Sequence, residues 1–137
     1  MDKSKLKRRL VIGSANFSQT YGADPTKINL KEIKKILTWA KKNNIYRIDT
    51  AEDYLKNSHI FKNIDRKFKF SSKIISDPNW VSLEFCQKKI EDHFKKLNIK
   101  KVETILLHDI KILFSKSGKK IFKNLEILKK KNFFNKI

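Results

Sequence analysis

Little in this chain turns sharply, crosslinks or spans a membrane. Its 137 residues include one cysteine, three glycines and two prolines. A single cysteine excludes an internal disulfide framework and a multi-cysteine zinc site, and no metal centre is expected. So few glycines and prolines exclude a collagen-like repeat or a proline-rich linker. No apolar run exceeds about four residues, far below the roughly 18 that a membrane span needs. The basic start, MDKSKLKRR, leads into no apolar signal segment, so the sequence predicts no secretory leader and a cytoplasmic protein without membrane contact. Acidic residues are also scarce, 14 against 33 basic ones, for a net charge of +19. What is present is a core: 39% of the residues are hydrophobic and 11% aromatic, which suits one globular domain.

The charge invites a nucleic-acid reading. Its composition argues for a plainer one. Only Arg8, Arg9, Arg47 and Arg66 are arginines; the other basic residues are lysines spread over every segment. Base readers and phosphate clamps favour the planar, bidentate guanidinium. Lys, Asn, Ile and Phe together make up 68 of 137 residues, and their codons are rich in A and T. The lysines therefore read as compositional decoration of solvated faces, and nucleic acid ranks last among expected partners.

Leu10–Gly13 is a short apolar run ending in Gly, which suits a buried strand. Residues 14–26 are polar and read as a loop. Asn29 and Glu32 form a capping-box start, and Leu30, Ile33, Leu37 and Ala40 recur at helical spacing until Asn43–Asn44 ends the helix. Tyr46–Ile48 predicts a strand stopping at Asp49–Thr50. Ser58–Ile64 suits a short helix. Phe68–Ser72 predicts a third strand, followed by Lys73. After Asp77–Pro78 comes a long helix with Cys86, Ile90, Phe94 and Leu97 on one face. Thr104–Leu107 is a fourth strand ending at His108. Ile121, Leu125 and Leu128 mark a helix after Gly118, and the last six residues suit the start of a fifth strand. The alternation β-α-β-α-β-α-β-α predicts parallel strands with helices packed outside them, in an open doubly wound sheet or a barrel.

Active sites in such folds gather at the carboxyl ends of the strands. There the sequence places Asp49, Tyr54, Lys73 and His108. Alone, each has an ordinary explanation: a helix cap, a surface aromatic, one lysine of many, a structural histidine. Four different titratable types at the ends of successive elements make a candidate site.

The stretch Ile48-Asp49-Thr50-Ala51-Glu52-Asp53-Tyr54 resembles the I-D-T-A-x-x-Y signature of the aldo/keto reductases. Leu10–Ala15 with Tyr21-Gly22 resembles that family's first strand and loop, Ser71–Ile74 its lysine strand, and Ile105–His108 its histidine strand. The resemblance implies the amino-terminal half of a TIM (β/α)8 barrel, about four βα units truncated before strand five. It implies NADPH as cofactor, touched here by Gly13, Ser14 and Asp49 with most of the family's cofactor-binding segments absent, and no Rossmann motif. It implies reduction of a small aldehyde or ketone: Tyr54 the general acid, Lys73 the cation that lowers its pKa, Asp49 the holder of that lysine, and His108 the group that orients the carbonyl. The chain departs from the pattern at Leu55, where the family has Gly, and at Ser58-His59, where it has Ser-Glu. A left-handed backbone at Leu55 would strain its side chain.

A whole barrel of this kind needs roughly 250 residues. Three readings follow, ranked in this order: an oxidoreductase fragment with little activity alone; a half that joins a complementary chain, or a second copy of itself, into a working barrel; and a polyanion-binding protein on a half-barrel relic. Among weaker features, Cys86 and His93 share a helix face. His59 reads as a solvated loop residue, Trp39 and Trp80 as packing or rim aromatics, with a substrate-lining role conceivable for Trp80. Lys5–Arg9 reads as a basic tail.

Overall fold

A computed structural model describes residues 9–20, 22, 28–55 and 59–137. The elements are β1 (Ile12–Gly13), α1 (Ala15–Ser18), α2 (Leu30–Lys42), β2 (Arg47–Ala51), α3 (His59–Lys62), β3 (Lys69–Ile74), α4 (Leu83–Leu97), β4 (Val102–Leu107), α5 (Gly118–Lys130) and β5 (Phe134–Lys136). Short 3-10 turns cover Glu52–Leu55, Pro78–Val81 and Ile110–Phe114. Tyr21, Ser58 and the tail through Arg8 lie outside the described residues.

All five strands are parallel and stand in sequence order, β1-β2-β3-β4-β5. That order separates the two architectures the sequence allowed. A doubly wound sheet reverses direction at a switch point; a barrel keeps stepping the same way. Right-handed crossovers that always step the same way leave every helix on one side. The sheet is thus an arc of a (β/α) barrel, and a fifth strand is already paired to β4.

The core lies between the sheet and those helices. Ile48 and Thr50 of β2, Phe70, Ser72 and Ile74 of β3 and Ile105 of β4 are buried. They meet Ile33 and Ala40 of α2, Cys86, Ile90 and Phe94 of α4, and Ile121, Leu125 and Leu128 of α5. Each fully buried aliphatic side chain of this kind contributes about 1.5–3 kcal/mol. The intervening strand residues are less covered. Gly13 stands level with Asp49, Asp49 with Ser71, and Ser71 with Thr104. This polar row lies on the face that a closed barrel would turn inward.

Helix ends follow the sequence closely. Asn29 accepts from the Glu32 amide while the Glu32 carboxylate accepts from the Asn29 amide, at 3.0 and 2.9 Å. Asn44, Asn98 and Asn132 adopt left-handed backbone after α2, α4 and α5, the conformation that a helix C-terminus asks of Gly or Asn. Leu55 is absent from the positive-φ residues; it sits in a 3-10 turn with its side chain buried, so it carries no backbone strain.

Several boundaries differ from expectation. β2 runs on through Asp49 to Ala51 and β3 through Lys73 to Ile74, because a polar side chain on an uncovered face does not interrupt a strand. Residues 15–18 of the expected loop form the short helix α1. Trp80 is 1% exposed and belongs to the core, so it lines no substrate site. Its own backbone is held by buried Asn124, whose Nδ2 donates to the Trp80 and Val81 carbonyls at 2.7 and 3.1 Å.

Candidate functional site

Asp49 is held from both sides by the sheet, and the Ser14 amide donates to its carbonyl at 3.0 Å. Lys73 stands opposite Ala51 on the next strand. Since Asp49 and Ala51 share a face, both side chains emerge together, and Lys73 Nζ donates to Asp49 Oδ2 at 2.6 Å. The two side chains are 28% and 35% exposed, so as a stabilising ion pair this one is worth at most about 1 kcal/mol. Its larger effect is positional: it fixes a cation at the carboxyl end of β3.

Tyr54 follows β2 in the turn Glu52–Leu55. Three contacts hold that turn. Ser18 Oγ donates to the Tyr54 carbonyl. Glu52 Oε2 accepts from the Ile75 amide at 3.1 Å, tying the turn to the end of β3. The buried Leu55 side chain anchors it from below. In this pose the Tyr54 ring centroid lies 6.0 Å from Lys73 Nζ. His108 leaves β4 with its amide donating to the Ile74 carbonyl at 2.9 Å, and its Nε2 is 3.9 Å from Asp53 Oδ2.

The ends of β2, β3 and β4 thus bring Asp49, Lys73 and Tyr54 into one cluster, with His108 at its edge beside Asp53. Chemically the cluster offers a phenol near an ammonium, and an imidazole near a carboxylate, open to solvent. Sequence reasoning passed over Ser18, Glu52 and Asp53. The two acids just before Tyr54 were the available signal; Ser18, 36 positions from its partner, gave none. Among the described residues no group of three His, Cys, Asp or Glu side chains gathers as metal ligands. Cys86 and His93 are both buried, and the His93 Nε2 is engaged with Ser72 Oγ at 2.6 Å.

Among solved structures the chain is similar to a protein of Pseudomonas aeruginosa described as an aldo-keto reductase. The match has a TM-score of 0.67 at 20% identity, over 90% of this chain and 52% of that one. The fold matches about half of that protein's barrel. A Bombyx mori aldo-keto reductase in complex with NADP matches with TM-score 0.59 at 11% identity, over 92% of this chain and 44% of that one. An aldo-keto reductase of Bacillus halodurans in its holo form matches with TM-score 0.60 at 15% identity, over 92% and 43%. The chain spans about half the length of these structures. No family model and no curated protein matches it.

The resemblance read from the sequence expects NADPH beside Gly13, Ser14 and Asp49. Gly13 is exposed, and a Cβ there would touch nothing within 4 Å, so the space beside Asp49 is clear. A group approaching Asp49 from that side would meet no side chain at Gly13. Ser14 does not present its hydroxyl: the residue is buried, and its Oγ has no hydrogen-bond partner among the described residues.

Proposed function

We propose that this chain carries the proton-delivering half of an NADPH-dependent carbonyl reductase. The observation behind the reading is the placement of Lys73, bonded to Asp49 at 2.6 Å and 6.0 Å from the Tyr54 ring centre. When bound, NADPH supplies the hydride that the carbonyl carbon must gain. Gly13 and Asp49 would hold its near end. Tyr54 gives its phenolic proton to the carbonyl oxygen, so the C=O π pair ends as an O–H bond and the phenol is left as phenolate. A free phenol titrates near pH 10; an adjacent ammonium favours the phenolate and makes the transfer faster at neutral pH. Asp49 keeps Lys73 in place for that purpose, His108 orients the substrate oxygen, and water returns the proton to Tyr54.

The substrate class is a small aldehyde or ketone, and the site is cytoplasmic in this reading. The remaining walls of the barrel come from strands beyond this half, contributed by a complementary half or a second copy. The test is an NADPH fluorescence titration of the purified chain, with its molar mass measured by light scattering in the same sample. Saturable binding by a dimer or a two-part complex, with turnover abolished by Tyr54→Phe, supports the reading. Turnover unchanged in Tyr54→Phe overturns the mechanism, and absence of NADPH binding in every assembly state overturns the activity.

A further inference from the structure

We infer that the outer face of α2 binds single-stranded nucleic acid, with Trp39 as the stacking platform and Lys31, Lys34, Lys35 and Lys42 as the phosphate-binding cations. The starting observation is Trp39, 60% exposed, whereas Trp80 is 1% exposed. An indole left in water forfeits burial worth about 1.5–3 kcal/mol. The A- and T-rich codon bias that accounts for lysines does not account for it, because the tryptophan codon is rich in G.

Around that ring the described residues place cations and no free anion. Lys31, Lys34, Lys35, Thr38, Trp39 and Lys42 line one open, shallow side of the helix. Among the described residues none of these four lysines has an ion-pair partner. The nearest acid along the helix, Glu32, is turned back onto the Asn29 amide, and Lys41 satisfies Asp65 elsewhere. From Lys31 to Lys42 is eleven residues of helix, about 16 Å at 1.5 Å per residue. The patch is long enough to follow a short stretch of phosphate backbone.

This pairing of a cationic track with an aromatic face is how sequence-tolerant single-strand binders work: bases stack, lysines meet phosphates, and no base edge is read. The scarcity of arginine argues against base reading and against bidentate phosphate clamps, but lysine still meets phosphate as a point charge, which is all a sequence-independent strand binder needs. The face lies on the helix side of the sheet, away from the Asp49–Lys73 cluster, so the inference does not depend on reductase chemistry.

The test uses the whole chain and a twelve-residue oligothymidylate, followed by tryptophan fluorescence and by anisotropy of a labelled strand. Trp39 fluorescence should quench saturably while buried Trp80 supplies a constant background. Trp39→Ala should weaken binding about tenfold by loss of one stacked base. The pair Lys34→Glu/Lys35→Glu should weaken it further and reduce the salt slope by about 1.4, at roughly 0.7 for each phosphate no longer neutralised. The pair Lys129→Glu/Lys130→Glu on α5 changes net charge equally and should leave the affinity within about twofold, once the general charge effect is accounted for. Equal losses in the two double variants would overturn the site, as would a duplex bound as tightly as the single strand. Binding to phosphatidylserine vesicles without binding to the oligonucleotide would also overturn it, assigning the face to a lipid surface.

Discussion

Lowering the pH from 7 to 5 charges His93 in the unfolded chain but not in the folded one. His93 is 1% exposed at the back of the sheet, bonded through Nε2 to Ser72, with no partner for Nδ1 among the described residues. Burial, with help from the nearby Lys96 charge, pushes its pKa from 6.5 down to about 4. Between those values the unfolded state binds one more proton than the folded state, so stability must rise with pH across that window. Each unit is worth about 1.36 kcal/mol. At pH 5 the loss attributable to His93 is therefore about 2 kcal/mol, growing to about 3 kcal/mol near pH 4. The assay is urea unfolding between pH 4.5 and 8 for the wild type and for His93→Gln, which can keep a hydrogen bond to Ser72 but does not titrate. Carboxylate protonation affects both proteins alike and cancels in the difference. The gap between the two stabilities should shift by about 2 kcal/mol in favour of the variant from pH 7 to 5. Parallel curves would refute the argument.

Other expectations are as direct. Gly118→Ala should cost about 3 kcal/mol, because a Cβ there would lie 1.9 Å from the Leu113 carbonyl oxygen, a backbone clash that only movement of the chain relieves; a wild-type melting temperature would contradict it. Cys86 is fully buried, and burial pushes its thiol up to about 12, so a thiol reagent at pH 8 should label it only in denaturant. Asn29→Ala removes the acceptor of the α2 capping box and should lower stability by about 1 kcal/mol in chemical denaturation. Ile105→Ala empties a completely buried position on β4 and should cost about 2–5 kcal/mol.

The sequence was most legible where one residue type has one physical use. Asn29 with Glu32 announced the start of α2, and Asn44 its end. It was less legible where a rule assumed two covered faces. Reading Asp49 and Lys73 as strand terminators treats polarity as a stop signal, yet both lie within strands whose one face is open. The sequence left Trp80 open between packing and rim aromatic; packing against α4 and α5 decides for the core. His93 sat in plain view on the apolar face of α4, but its partner Ser72 is 21 positions away, and no local pattern links a strand serine to a helix histidine. At the site, residue types sufficed to nominate Asp49, Tyr54, Lys73 and His108. The contacts that hold the tyrosine turn, from Ser18 and Glu52, arise from tertiary packing alone.

The order of the strands also bears on how such a chain is made. Each strand pairs only with its neighbour in sequence, at separations from 22 residues between Ile48 and Phe70 to 36 between Ile12 and Ile48. No pairing waits for a distant segment, so loop closure is cheap at every step. A ribosome releasing this chain delivers each strand to an edge that already exists, and the growing sheet can gain one βα unit at a time in the order of synthesis. The same property leaves β5 as the edge on which any later strand would assemble.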